Sequence, residues 1–133
     1  MNKSIHIGLM GLNFCSDNLG CAALSLSFYS ELVDILRSLK VNASIFIISG
    51  KSDFCIKQGP EYPVVFQEYH MSDIRTLLRA YSLLKKCDVV FDFTEGDSFA
   101  DIYGRAVFYT SALLKLLVEH SRAKLILGPQ TYG

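Results

Sequence analysis

The chain has 133 residues, half of them apolar and a fifth charged, which is enough for one hydrophobic core and one domain. Lys and Arg number 13, as do Asp and Glu, so the net charge is zero. This balance excludes a disordered chain and argues against a nucleic-acid binder that works through bulk positive charge.

No run approaches the roughly 18 uninterrupted apolar residues of a membrane span. The most apolar stretch, Ala106 to Val118, is broken by Lys115 and flanked by Arg105 and Glu119, and reads as a buried helix. The N-terminus lacks the features of a secretory signal. Its apolar run from Ile5 to Leu12 contains His6 and two glycines, and no small-x-small cleavage site follows. Cys15, Cys21, Cys55 and Cys87 form no C-x-x-C pair, and no nearby His gives zinc-ligand spacing. The expectation is a cytoplasmic protein with reduced thiols, in which Cys21 and Cys87 act as small buried hydrophobes.

In chain order, Ile5–Met10 is a short apolar run ending at Gly11 and predicts a buried strand. A polar loop, 13–20, follows. A helix is predicted from about Leu19 to Lys40, with Leu24, Phe28, Leu32, Ile35 and Leu39 lining one face and Asp17 or Asn18 as cap. Ala43–Ser49 predicts a second strand, Lys51–Pro63 a loop, and Val64–Tyr69 a third strand. Ser72 is placed to cap a helix with the apolar stripe Ile74, Leu77, Leu78, Tyr81 and Leu84. Asp88–Phe93 predicts a fourth strand, a helix runs from about Gly104 to Arg122, and Lys124–Leu127 predicts a fifth strand.

Strands separated by helices imply an α/β fold, a Rossmann-like parallel sheet of about five strands flanked by helices, with right-handed crossovers. The expected order is 3-2-1-4-5. The first and fourth strands then meet at the switch point, beyond whose carboxyl ends ligands bind. A helix would normally follow and cover the fifth strand, yet the sequence stops soon after it. That stop and the positive mean hydropathy point to one lobe whose missing partner buries an exposed face. A domain that dimerises through the uncovered sheet face would look the same.

Three loops converge on the switch point. The first lacks a dinucleotide fingerprint, since Gly8, Gly11 and Gly20 have the wrong spacing, and no Walker lysine pattern occurs. Asn18 and Gly20 stand where a helix begins. There they hold an anion or hydroxyl through backbone N–H groups, or simply cap the helix and permit close packing. In the loop after the fourth strand, Asp92, Glu95, Asp97 and Asp101 fall within ten residues, and Arg105 is the only cation near them in sequence. Such a cluster is solvated, capping, or bound to something. Carboxylates accept paired hydrogen bonds from vicinal sugar hydroxyls, and they also ligate divalent cations. Glu95, Gly96 and Asp97 are therefore site candidates, while Asp101 caps a helix or joins them. After the fifth strand, Gln130 and Thr131 face the same crevice. His6, His70 and His120 follow neither the first nor the fourth strand and are read as structural.

Together these segments resemble the N-terminal half of the polysaccharide pyruvyl transferase family. The resemblance rests on Asn18-Leu19-Gly20, on the stretch from Gly96 through Asp97, Ser98, Phe99, Ala100, Asp101, Ile102 and Tyr103 to Gly104, and on Pro129-Gln130-Thr131-Tyr132-Gly133. It departs from the family at Cys21, where many members carry an acid, and at Glu95, where many carry glycine. The resemblance implies one lobe of a glycosyltransferase-B-like enzyme that moves the pyruvyl group of phosphoenolpyruvate onto sugar hydroxyls as a ketal, without a cofactor. Its implied partners are a sugar or polysaccharide acceptor and a C-terminal lobe. Asn18, Gly20, Glu95, Gly96, Asp97, Ser98, Asp101, Tyr103, Gln130 and Thr131 become the substrate-binding candidates. No catalytic residue and no metal ligand is assigned. The crevice is acidic and would repel phosphoenolpyruvate, which places the donor pocket in the second lobe. The other readings are a non-catalytic binding module for a sugar or phosphorylated small molecule, and a dimerising interaction domain.

Overall fold

A computed structural model describes residues 4–15, 19–50, 61–94 and 105–128. Five strands form one sheet in the order β3-β2-β1-β4-β5. They are β1 (Ile5–Met10), β2 (Ala43–Ser49), β3 (Val64–Glu68), β4 (Val89–Asp92) and β5 (Lys124–Leu127). Every pairing is parallel. Among the described residues three helices accompany them: α1 (Leu19–Ser38) between β1 and β2, α2 (Ile74–Leu84) between β3 and β4, and α3 (Arg105–Glu119) between β4 and β5. The Rossmann-like α/β architecture and the strand order agree with the expectation.

The topology decides which face each helix covers. The chain moves from β1 toward β3 in one direction, then crosses back to β4 and on to β5 in the other. Right-handed crossovers therefore put α1 on one face and both α2 and α3 on the opposite face. Two cores result. Ile7, Leu9, Ile45 and Ile47 pack with Tyr29, Leu32, Val33 and Leu36 of α1. Met10, Ile48 and Val90 pack with Ala80 and Leu84 of α2 and with Leu114 and Val118 of α3. Val90 meets Gly8 across the β1–β4 pairing. A Cβ on Gly8 would stand 3.0 Å from Val90 Cγ2 and 3.1 Å from the Cys87 sulfur, so glycine leaves room for both.

Helix α1 is rotated from the predicted face. Its buried residues are Ser25, Tyr29, Leu32, Val33 and Leu36, whereas Leu24, Ile35 and Leu39 are exposed. Apolar residues surround much of this helix, so periodicity alone fixes no single face. Polar groups decide it instead. The Ser25 hydroxyl donates to the Cys21 carbonyl at 2.8 Å and accepts from the Asn13 amide at 2.9 Å. Burying Ser25 thus satisfies the loop that leaves β1. Tyr29 sits edge-on to Phe14 at 6.0 Å.

Helix α2 is capped by Asp73 rather than Ser72. The Asp73 carboxylate accepts from the Arg75 amide at 2.9 Å, which satisfies a free N–H of the first turn. Ile74 and Leu78, placed in the apolar stripe by sequence, are exposed. By length and apolar composition alone α1 is sufficient to cross a membrane, although Glu31, Asp34 and Arg37 interrupt its apolar residues. A helix packed on a sheet passes the same test.

The thiols also differ from expectation. Cys15 is held in a disulfide, so the chain is not fully reduced. Its partner lies outside the described residues. Cys21 is exposed and Cys87 is buried. Only Cys87 matches the small-hydrophobe reading.

Candidate functional site

The carboxyl ends of β1, β4 and β5 meet in a tight junction. The Phe93 amide donates to the Met10 carbonyl at 2.8 Å, and the Gly128 amide donates to the Asp92 carbonyl at 2.8 Å. Gly11 follows β1 with φ +76°, a left-handed conformation that side chains disfavour. A Cβ there would lie 2.4 Å from the Thr94 nitrogen and 2.5 Å from its Cα. A Cβ on Gly128 would lie 2.3 Å from the Phe93 ring. Glycines therefore let the exits of β1 and β5 close on the exit of β4. Leu12 and Phe14 are buried as the chain turns away toward α1.

Asp92, the last residue of β4, is fully buried. Its Oδ1 accepts from the Thr94 amide at 2.8 Å and from the Thr94 hydroxyl at 2.6 Å. This local turn sets the direction in which the chain leaves the strand. Its Oδ2 faces the Lys115 ammonium of α3 at 3.5 Å, and Lys115 is itself only 17% exposed. Tyr69 completes the surroundings. Burial, and secondarily the Asp92 charge, push its hydroxyl pKa above the ordinary value. A buried carboxylate faced by a cation under a strand exit holds the loop it precedes.

The sequence reading missed Asp92 and Lys115 as partners. It counted Arg105 as the only cation close to the acidic loop, whereas Lys115 approaches Asp92 from the third turn of α3. The signal was present in the sequence. Lys115 interrupts an apolar helix, Asp92 interrupts an apolar strand, and a half-buried ion needs a counter-ion. Among the predicted site residues, Gly20 is described and is exposed in the first turn of α1. Asn18, Glu95, Gly96, Asp97, Ser98, Asp101, Tyr103, Gln130 and Thr131 lie outside the described residues. What the fold shows is that the described strand ends leading to those segments converge.

The histidines stand away from this junction. His6 lies in β1 with its ring 5.7 Å from that of Phe46. His70 pairs with Glu68 at 3.0 Å, and His120 is exposed after α3. Among the described residues no three His, Cys, Asp or Glu side chains form a group that could hold a metal ion. No family model, curated protein or solved structure matches the chain.

Proposed function

We propose that the chain is the acceptor-side lobe of a glycosyltransferase-B-like enzyme that transfers a pyruvyl group from phosphoenolpyruvate to sugar hydroxyls, forming a ketal and releasing phosphate. The observation that carries this reading is the junction of the β1, β4 and β5 exits. It lies at a topological switch point, where α/β sheets bind ligands. The segments that continue from those exits bear Asn18, Glu95, Asp97, Gln130 and Thr131, whose polar groups suit sugar hydroxyls. Asp92 and Lys115 are positioning residues in this scheme: their pair fixes the start of the acidic loop. The carboxylates Asp92, Glu95, Asp97 and Asp101 outnumber the one cation near them in sequence, Arg105, so the loop is net acidic and selects a neutral acceptor over an anionic donor. The donor's phosphate and carboxylate then need cations from a second lobe. A cytoplasmic location belongs to this reading, and there the Cys15 disulfide would be a transient bond.

Calorimetric titration of the purified chain with neutral sugars and, separately, with phosphoenolpyruvate tests the proposal. Saturable sugar binding that weakens in Asp97→Asn, together with no affinity for phosphoenolpyruvate, is the expected result. Binding of phosphoenolpyruvate without sugar binding would overturn it and favour a module for phosphorylated small molecules.

A further inference from the structure

All-parallel sheets are covered on both faces, yet on the α1 side the described elements cover β4 only in part, with Val89 and Phe91 half-buried, and leave Lys124 and Ile126 of β5 exposed. Two rows of pairing define that face. Val89 pairs with Lys124 and Phe91 with Ile126, while the inner neighbours Ile7 and Leu9 are buried. Phe28 of α1 leans over this edge, its ring 5.2 Å from that of Phe91 and 4.5 Å from that of Phe93. One turn before Phe28 is Leu24, and two turns after it is Ile35, on the same flank of the helix. Both are exposed, Ile35 by 54%, and Ile126 opposite them is 43% exposed. The result is a trough with one helical wall and a floor of Val89, Phe91 and Ile126, with Lys124 at its lower end.

The lower end of the trough differs in chemistry. A cleft of about 820 Å³ opens there, with Val41 and Val89 among its walls and Lys40, Arg122, Lys124 and Asp88 around it. Three cations against one carboxylate make this end positive. Asp88 is already engaged, since its Oδ2 accepts from the His6 amide at 2.9 Å.

We propose that the trough receives an amphipathic α-helix of a partner protein, its apolar face on Phe91, Ile126 and Ile35 and an acidic end over Lys40, Arg122 and Lys124. A helix is the element that parallel sheets bury against, and its apolar stripe matches a floor one helix wide. The positive end selects acidic residues and sets the direction in which the helix lies. This inference stands apart from the sugar-binding reading, because the trough and the switch-point junction involve different residues.

The test uses a fluorescent synthetic peptide of about four helical turns, with leucines on one face and three glutamates in one terminal turn. A twin carries lysines in place of the glutamates. Fluorescence anisotropy should show saturable binding of the acidic peptide to the whole chain. Ile126→Glu should weaken it about tenfold or more, as expected on losing a buried anchor. The lysine twin should bind more weakly, and the gap should close in high salt. If Ile126→Glu fails to fold by circular dichroism, Ile35→Glu on exposed helix surface gives the same readout. Absence of saturable binding, or binding that neither variant disturbs, would overturn the proposal. So would a dimer in sedimentation that Ile126→Glu disperses while the peptide does not bind, which assigns the face to a second copy.

Discussion

Replacing Gly11 by alanine should cost the protein a large part of its stability. The residue has φ +76°, and a non-glycine residue in that conformation costs about 1–2 kcal/mol. The new methyl would also lie 2.4 Å from the Thr94 nitrogen and 2.7 Å from the Phe93 carbonyl carbon. These are backbone atoms, held by the Asp92 turn and by the strand pairing, so they cannot swing aside as a side chain would. Overpacking of that kind costs about 1–3 kcal/mol. Stiffening of the unfolded chain returns about 0.4–1 kcal/mol. The net loss should be about 2–4 kcal/mol, against a total of about 5–15 kcal/mol for an ordinary domain. Urea denaturation followed by circular dichroism measures it, with an unchanged m-value showing that the unfolded state is the same. Gly50→Ala is the control, because a Cβ there meets nothing closer than the Tyr69 ring at 4.0 Å; it should change stability by less than about 1 kcal/mol. If Gly11→Ala behaved like the control, the exits of β1 and β4 would not be in contact, and the junction would be wrong.

Three other outcomes follow from the packing. Lys115→Met leaves the Asp92 carboxylate buried without its cation and should cost about 3 kcal/mol. A double-mutant cycle with Asp92→Asn should give a coupling above about 1 kcal/mol, and a near-zero value would show that the 3.5 Å approach carries no energy. Leu36→Ala should cost about 2–4 kcal/mol, whereas Ile35→Ala should cost under about 1 kcal/mol; reversed costs would restore the helix face expected from periodicity. Burial, and then the nearby Asp88 charge, push the Cys87 thiol from 9.0 up to about 12. The folded state therefore holds this proton more tightly than the unfolded state. The resulting stability is fully present below about pH 9 and is lost as pH rises toward 12. At pH 8 an alkylating reagent should label exposed Cys21 and spare Cys87 until denaturant is added, as site mapping by mass spectrometry would show.

Much of the architecture is legible in the sequence because its strands are short, continuous apolar runs between helices. Ala43–Ser49 and Lys124–Leu127 coincide with the observed strands, and the helices between strands imply the parallel pairing, which β2 and β3 also show without a described helix between them. The face of α1 is not legible. Leu24, Ile35 and Leu39 are as apolar as Leu32 and Leu36, and the choice between them is made by Ser25, whose hydroxyl bridges the loop after β1 and the helix. The cap of α2 is ambiguous for a related reason: Ser72 and Asp73 are adjacent good caps, and the bond to Arg75 selects the second. At the junction, the ends of β1, β4 and β5 come together as the strand order implies, and a buried pair lies beneath them. By position Asp92 belongs with the acids of the loop, yet its place at the end of an apolar strand buries it. Lys115 is remote from it in sequence, and only the packing of α3 on the sheet brings them together.

The most direct measurement for the functional proposal is a nitrogen-15 amide spectrum of the chain recorded during titration with neutral sugars. Shifts concentrated at Gly11, Gly20, Thr94 and Gly128 and at the candidate binding residues Asn18, Glu95, Asp97, Gln130 and Thr131 would place the sugar at the exits of β1, β4 and β5, as the account predicts. A spectrum in which those amides stay fixed while sugar saturates elsewhere on the chain would contradict it.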